Sequence, residues 1–214
     1  MRKLIVLLGP PGCGKGTQAD LLSKKLNYPH ISTGAMLRDE ISMETPLGLE
    51  AKGYVEAGKL GPDRLIYDIF FSRISRDDCK LGVILDGFPR NLEQAEVLRS
   101  HLEEDDDLLA INFVLSNDTI IERMAGRRIC KTCGTTYHLE YAPPKEPSIC
   151  DKDSGDLYQR TDDSPAVVTD RLNIFAELTA PLIEFYRKSG QLIDVECDGK
   201  SIEQIFSEVQ RLTT

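Results

Sequence analysis

The sequence predicts an α/β domain built on a doubly wound parallel sheet, and three observations carry that prediction. Short apolar runs without polar alternation recur along the chain, as in strands buried on both faces. Segments of helical period follow them, which is the βαβ rhythm of a parallel sheet. A glycine-rich loop joins the first apolar run to the first helical segment, where such sheets bind phosphate.

Leu4 to Leu8 is a continuous apolar run stopped by Gly9-Pro10-Pro11-Gly12, so a buried strand is expected there. Lys15 to Leu26 follows as a helix, with Ala19, Leu22 and Leu26 on one face. From Ser32 to Gly61 the pattern is helical, punctuated by Gly48, Gly53 and Gly58, and shows no strand of its own. Residues 32–61 are therefore expected to be a small helical insertion. Gly82 to Leu85 is a second short strand, and Asn91 to Leu102 after it a helix. The acidic run Glu103 to Asp107 is expected to be a solvated turn. Leu108 to Leu115 is a third strand, and Asp118 to Arg128 again a helix.

At Ile129 the composition changes. Up to Asp163 it is rich in Cys, Thr, Tyr, Pro, Asp and Gly with little helical period, which predicts a loop-and-hairpin lobe over residues 128–163. Ser164-Pro165 restarts a helix, with Ser at the N-cap and Pro at the first helical position. Leu192 to Val195 is a late strand, and Ser201-Ile202-Glu203-Gln204 has the form of a capping box opening the last helix. The remaining segments, 1–31, 62–127 and 164–214, are expected to form one core.

AVILMFWYC residues make up 41% of the 214 residues and DEKR residues 29%, an ordinary globular composition. A chain this long buries a core without disulfide staples. Lys and Arg number 26 against 35 Asp and Glu, and the net charge of −9 argues against general attraction to nucleic acid or anionic membrane. The Leu4–Leu8 run is shorter than the roughly 7–15 residues of a signal-peptide core. No stretch approaches the roughly 20 apolar residues of a membrane span. A cytoplasmic monomer with neither nucleic-acid nor membrane partners is the expectation.

The loop Gly9-Pro10-Pro11-Gly12-Cys13-Gly14-Lys15-Gly16-Thr17 has the makings of a phosphate site. Its glycines let backbone N–H groups curl around phosphate oxygens, the helix N-terminus adds partial positive charge, and Lys15 reaches the β/γ phosphates. Gly16 follows the lysine where Ser or Thr is usual, and Thr17 comes one position later. Cys13 is read as a spacer and not as a nucleophile. In Ile84-Leu85-Asp86-Gly87-Phe88-Pro89-Arg90, Asp86 ends a strand and faces the crevice where such sheets bind ligands. It is placed to hold Mg²⁺ through water, and Arg90 beside it to bridge phosphates. A glycine-rich turn or a strand-end Asp alone has structural explanations; the two together point to a nucleotide.

With Ser32-Thr33-Gly34, Arg38, Gln94, Arg123-x₃-Arg127-Arg128, Arg160-x-Asp162-Asp163 and Arg171, these motifs resemble the adenylate kinase family over nearly the whole chain. The insertion after Arg127 resembles the long bacterial form. The resemblance implies a doubly wound, five-stranded parallel core of P-loop NTPase type, a helical NMP-binding insertion and a mobile zinc-bearing lid. It implies reversible phosphoryl transfer from Mg·ATP to AMP, giving two ADP. By the same resemblance ATP is contacted by Pro11, Gly12, Cys13, Gly14, Lys15, Gly16, Thr17, Arg123, Arg127, Thr136, Tyr137 and Lys200, with Arg123 stacking on the adenine. AMP is contacted by Thr33, Gly34, Arg38, Lys59, Leu60, Gly61, Gly87, Phe88, Pro89, Arg90, Gln94, Arg160 and Arg171. Gly61 stands where the family usually has a larger apolar residue. Arg38 and Arg90 would hold the AMP phosphate, and Arg127, Arg160 and Arg171 would clamp the transferring group. Lys15, Asp86, Arg90, Arg127, Arg160 and Arg171 form the implied catalytic set. Arginine suits the work because its planar fork binds phosphate bidentately and stays charged.

Cys130-x₂-Cys133 followed by Cys150-x₂-Asp153 has the spacing of two ligand knuckles that close a tetrahedral zinc site. Asp153 preserves the spacing better than Asp151 or His138. Zinc there would be structural, since a lobe this small cannot build its own core, and the resemblance extends to lids with a Cys₃Asp site. Rival readings are a CMP/UMP-type nucleoside monophosphate kinase, a P-loop ATPase switch and a zinc-ribbon nucleic-acid binder. Thr33 and Gln94 argue against the first. The Arg38/Arg90 pair has no task in the second, and the net charge counts against the third.

Overall fold

The computed structural model describes residues 1–213; Thr214, the end of the expected core segment 164–214, lies outside the described residues. The chain opens with β1 (Lys3–Leu8), α1 (Lys15–Leu26) and β2 (His30–Ser32). Then come α2 (Thr33–Ser42), α3 (Pro46–Glu56), α4 (Asp63–Ile74), β3 (Gly82–Asp86) and α5 (Leu92–Ser100). The middle holds β4 (Asp107–Val114), α6 (Asn117–Gly126), β5 (Arg127–Cys130), β6 (Thr136–His138) and β7 (Leu157–Tyr158). The last part runs through α7 (Pro165–Ile174), a wide turn at Phe175–Thr179, α8 (Pro181–Lys188), β8 (Leu192–Glu196) and α9 (Ile202–Thr213).

Five strands form one sheet in the order β2-β3-β1-β4-β8, every pair parallel. Both faces are covered. Leu4, Val6, Leu85 and Leu98 pack on one side with Phe70, Phe88 and Tyr186. Ile5, Leu7, Ile84 and Phe113 pack on the other with Leu22, Ile120 and Val209. This double burial explains why the strands are apolar without alternation. Register then places the chemistry. Leu7 of β1 lies beside Asp86 of β3, and Ser32 of β2 lies on its other side. The glycine-rich loop, the Asp86–Arg90 loop and Thr33 thus leave the sheet at one edge.

Several expectations change. The residue patterns show four strands; the fifth, β2, is three residues long, too short to leave a pattern. Helix α4 and the tight turn Asp77–Cys79 fill a stretch to which the periodicity gave no element. The helix expected from Asp118 to Arg128 stops at Gly126, and Arg127–Cys130 is strand. A Cβ at Gly126 would come within 3.0 Å of the His138 ring, so the chain turns out of the helix there to pair with β6 and β7. Ser164 occupies the N-cap of α7 without a side-chain hydrogen bond. The capping box at α9 forms in both directions: Ser201 N–H donates to Gln204 Oε1 at 2.8 Å, and Gln204 N–H donates to Ser201 Oγ at 3.3 Å. In the acidic run, Asp105 takes the N-terminal ammonium at 2.9 Å, and Asp107 already belongs to β4. The lobe after α6 is an antiparallel sheet in the order β6-β5-β7. Among the described residues no helix is long and apolar enough to cross a membrane.

Candidate active site

Gly14, at φ 100°, turns the loop into α1 and caps it with no side-chain hydrogen bond, which leaves the first N–H groups of α1 facing the crevice. Lys15 is the first residue of α1. Its ammonium donates to Gly9 O at 2.7 Å, Pro10 O at 2.8 Å and Cys13 Sγ at 3.4 Å. Cys13 is buried beneath the loop, so only its backbone remains for a ligand. Arg123 of α6 reaches over and donates to Cys13 O at 3.4 Å.

Asp86 sits at the end of β3, its side chain 17% exposed. Burial opposes its charge, but the neighbouring His30, Lys15 and Arg90 outweigh burial and hold its pKa below the carboxylate range. His30 is a residue that the sequence patterns did not single out. Its Nδ1 lies 2.8 Å from Asp20 and its Nε2 3.6 Å from Asp86. Burial lowers the His30 pKa, yet the two carboxylates push it up to about 9. It is therefore charged at neutral pH.

Beyond Asp86 lies a pocket lined by Thr33, Gly34, Leu37, Arg38, Val55, Lys59, Leu60, Gly61, Gly87, Arg90 and Gln94. Thr33 is buried and donates to Gly87 O at 2.7 Å. The guanidiniums of Arg38 and Arg90 meet over Gly34, where an added Cβ would lie 3.3 and 3.6 Å from them. Gly87 combines a φ of 85° with contacts that leave no room for a side chain: a Cβ there would lie 2.8 Å from Arg90 and 3.0 Å from Thr33. Phe88 points away from the pocket and stacks on Phe70 with ring centroids 3.9 Å apart, so it and Pro89, both buried, face a ligand only through backbone. Gln94 is tied to the protein on both sides of its amide. Its Oε1 accepts from Arg90 N–H at 2.7 Å and its Nε2 donates to Asp63 at 2.6 Å. A side chain at Gly61 would meet Tyr54 and Leu65 at 3.9 Å, an ordinary contact.

Arg127, Arg160 and Arg171 close the crevice from the far side. Arg127 Nε donates to Asp163 at 2.8 Å. Arg171 donates to Asp162 at 2.9 Å and lies 3.6 Å from Asp163. Both aspartates are buried and hold the two guanidiniums in place. The Nε of Arg160 is buried and has no hydrogen-bond partner among the described residues. Burial lowers the Arg171 pKa to about 10, and the neighbouring Arg127 and Arg90 add to the effect while Asp162 and Asp163 oppose it. Arg38 is likewise pulled down to about 10 by burial and then by Arg160 and Arg127, against the pull of Asp162. The mutual influence of these cations places them in one low-dielectric crevice, as a polyanion site requires.

Lys200 ion-pairs with Glu208 at 2.7 Å, and its N–H donates to Cys197 O at 3.4 Å. Thr136 is exposed on β6, whereas Tyr137 turns inward beside Cys150. Cys130, Cys133, Cys150 and Asp153 bring one donor atom each to within 4.8 Å of one another. Backbone N–H groups of Thr132 and Lys152 point at the Cys130 and Cys150 sulfurs at 3.3 and 3.5 Å, as suits thiolates. This donor set fits a metal of zinc's preferences. His138 instead accepts from the backbone of Glu140 and Tyr141, and Asp151 from Lys145, so neither belongs to the cluster.

The family model described as Adenylate kinase matches residues 7–191. The adenylate kinases of Bacillus velezensis and Bacillus subtilis are each 47% identical to this chain over 210 residues, which is 97% of this chain and 96% of each relative. That of Methanocella arvoryzae is 45% identical over 207 residues, 96% of this chain and 95% of its own length.

Proposed function

We infer the division of labour in this crevice from one premise: the chain belongs to the adenylate kinase family. It is an ATP:AMP phosphotransferase, which moves the terminal phosphoryl group of Mg·ATP to AMP and yields two ADP. Lys15, the N–H groups of residues 11–17 and Arg123 take ATP, with the backbone of Thr136, Tyr137 and Lys200 around its base. Thr33, Gly34, Arg38, the Lys59–Gly61 backbone, Gly87, Arg90 and Gln94 take AMP. Two polyanions must then meet phosphate to phosphate. An AMP phosphate oxygen attacks the γ-phosphorus, that oxygen's bond to phosphorus forms, and the bond to the ADP leaving oxygen breaks. Little covalent help is needed, so the residues work by position and charge. Arg127, Arg160 and Arg171 neutralise the transferring group; the unpartnered Arg160 Nε supports this reading. Asp86, ionised and facing Lys15, fits Mg²⁺, which when bound spreads phosphate charge.

Residues 1–31, 62–127 and 164–214 act as the core, 32–61 as the AMP lobe and 128–163 as the lid. Cys130, Cys133, Cys150 and Asp153 would hold a structural Zn²⁺, a closed shell of protein donors that supplies stability and no reaction step. A monomer suffices, since both nucleotide sites draw their residues from one chain. The free thiols suit the reducing cytoplasm. The observation that carries the reading is the convergence of Arg38 and Arg90 over Gly34, opposite the loop that holds Lys15. The test is an acceptor panel with labelled Mg·ATP. AMP is expected to outperform CMP, UMP and GMP at matched concentrations; a pyrimidine monophosphate working better would overturn the assignment of the pocket.

A further inference from the structure

We propose that Thr179 is a positioning residue for Arg90, and that the wide helical turn at Phe175–Thr179 delivers it. The proposal rests on the reading of Arg90 as an AMP-phosphate ligand. Pro181 opens α8. It has no N–H, and its ring would collide with the carbonyl of Glu177 four residues earlier if the α-helix ran on unbroken. The chain widens instead. Ala180 N–H donates to Phe175 O at 2.7 Å, five residues back, and Phe175–Thr179 is a π turn. One added residue rotates everything after it by about 100° relative to a continuous α-helix. Such turns are often found at functional sites, and this one sets a hydroxyl against the acceptor loop. Thr179 Oγ1 donates to Arg90 O at 2.8 Å, across 89 residues of chain.

The direction of that hydroxyl is the distinguishing feature. A threonine within a helix commonly returns its proton to the carbonyl four residues earlier. Thr169 does so onto Pro165 O at 3.0 Å, and Thr213 onto Val209 O at 3.1 Å. Thr179 reaches out of its helix to Arg90. With it, Arg90 is fixed at three points. Its N–H donates to Gln94 at 2.7 Å, its Nε donates to Gly87 O at 2.8 Å, and its carbonyl accepts from Thr179. The remaining guanidinium N–H groups are left for phosphate. The segment that grips Arg90 also carries Arg171, held by Asp162. One helical ribbon thus sets two substrate arginines in register. Phosphate contacts are sensitive to displacements of about half an ångström.

Thr179→Val keeps the branched shape and removes the hydroxyl, while Thr179→Ser keeps the hydroxyl. Losing one hydrogen bond of this kind is expected to raise the KM for AMP in the Val variant about three- to tenfold, with the KM for Mg·ATP unchanged and the Ser variant near wild type. In an Arg90→Ala background, Thr179→Val is expected to add no further rise in the KM for AMP. A Val variant that melts lower but keeps the wild-type KM for AMP shows a purely structural tie and overturns the proposal. Equal rises in both KM values overturn it as well. If Arg90→Ala itself leaves the KM for AMP untouched, the reading of Arg90 falls, and the proposal with it; that result is distinct from a silent Thr179→Val beside an impaired Arg90→Ala.

Discussion

Lys15 holds the phosphate loop closed on itself. Its ammonium donates to two loop carbonyls and meets a thiol, all from residues 9–13. A triphosphate offers it charged oxygens in place of neutral carbonyls, and charge-assisted hydrogen bonds are about twice as strong. Lys15→Met should therefore lower kcat on the order of 10²–10³-fold, the loss seen when one preorganised donor to a developing charge is removed. The fold should persist, since methionine is a good residue for the first turn of a helix. Steady-state kinetics beside a thermal melt checks this; near-normal kcat would show that Lys15 does not act on the transferring group. Lys15, Asp86 and Arg90 stand out in the sequence because they lie in short motifs whose residue types suit phosphate chemistry, whereas Arg38, Arg123, Arg127, Arg160 and Arg171 are reached only through the family resemblance. His30, Asp63 and Thr179 show in neither way. His30 meets Asp86 from a neighbouring strand, Asp63 holds Gln94 across 31 residues, and Thr179 holds Arg90 across 89. Such partnerships leave no local pattern.

At the scale of elements, the lid shows what spacing reveals and what it hides. The cysteine knuckles show in the spacing, but the first half of β5, Arg127 and Arg128, reads as the end of a helix, because the helical period runs on and the close approach of the His138 ring to Gly126 comes from elsewhere in the lobe. The lobe's own core is Cys130, Tyr137 and Cys150 with Leu157 against them, which is far less than a self-standing unit of that size needs. A metal bound by the proposed ligands would therefore supply much of its folding free energy. Chelation should loosen residues 128–163 first, seen as faster hydrogen exchange there than in the five-stranded sheet. Because Arg127 and Arg160 flank the lobe, the KM for ATP should rise more than that for AMP. Asp153→Ala should lose zinc and melt earlier, while Asp153→Cys should keep it, a thiolate being the softer donor. Stoichiometric zinc with an unchanged melt in Asp153→Ala would remove Asp153 from the site.

The whole molecule carries a net charge of −9, yet its crevice concentrates Lys15, Arg38, Arg90, Arg127, Arg160 and Arg171. Two anionic nucleotides enter this crevice, and the danger there is water. A water molecule beside the γ-phosphorus would accept the phosphoryl group in place of AMP and turn the reaction into hydrolysis. On the proposed reading, the lobes at 32–61 and 128–163 would close over both substrates to exclude it. The connections suit such movement. The lid joins the core through α6 and the Arg160–Asp163 segment, and polar ties such as Gln159 Nε2 to Ala125 O at 3.3 Å and Tyr141 to Glu122 link it to α6. Arg127 and Arg160 sit on those connections, so on the proposed reading lid closure would carry their charge to the transferring group. A bisubstrate analogue that joins ATP to AMP should therefore bind far more tightly than either nucleotide, since one ligand meets the ordering cost of both lobes. It should also shrink the radius of gyration toward the roughly 17 Å of a compact chain this long. Small-angle scattering with and without saturating analogue measures this directly. AMP alone should draw in one lobe and give a partial change, because Arg127 and Arg160 would still lack the phosphate that pulls the lid. Profiles that superimpose with and without the analogue would mean that the crevice excludes water without lobe closure.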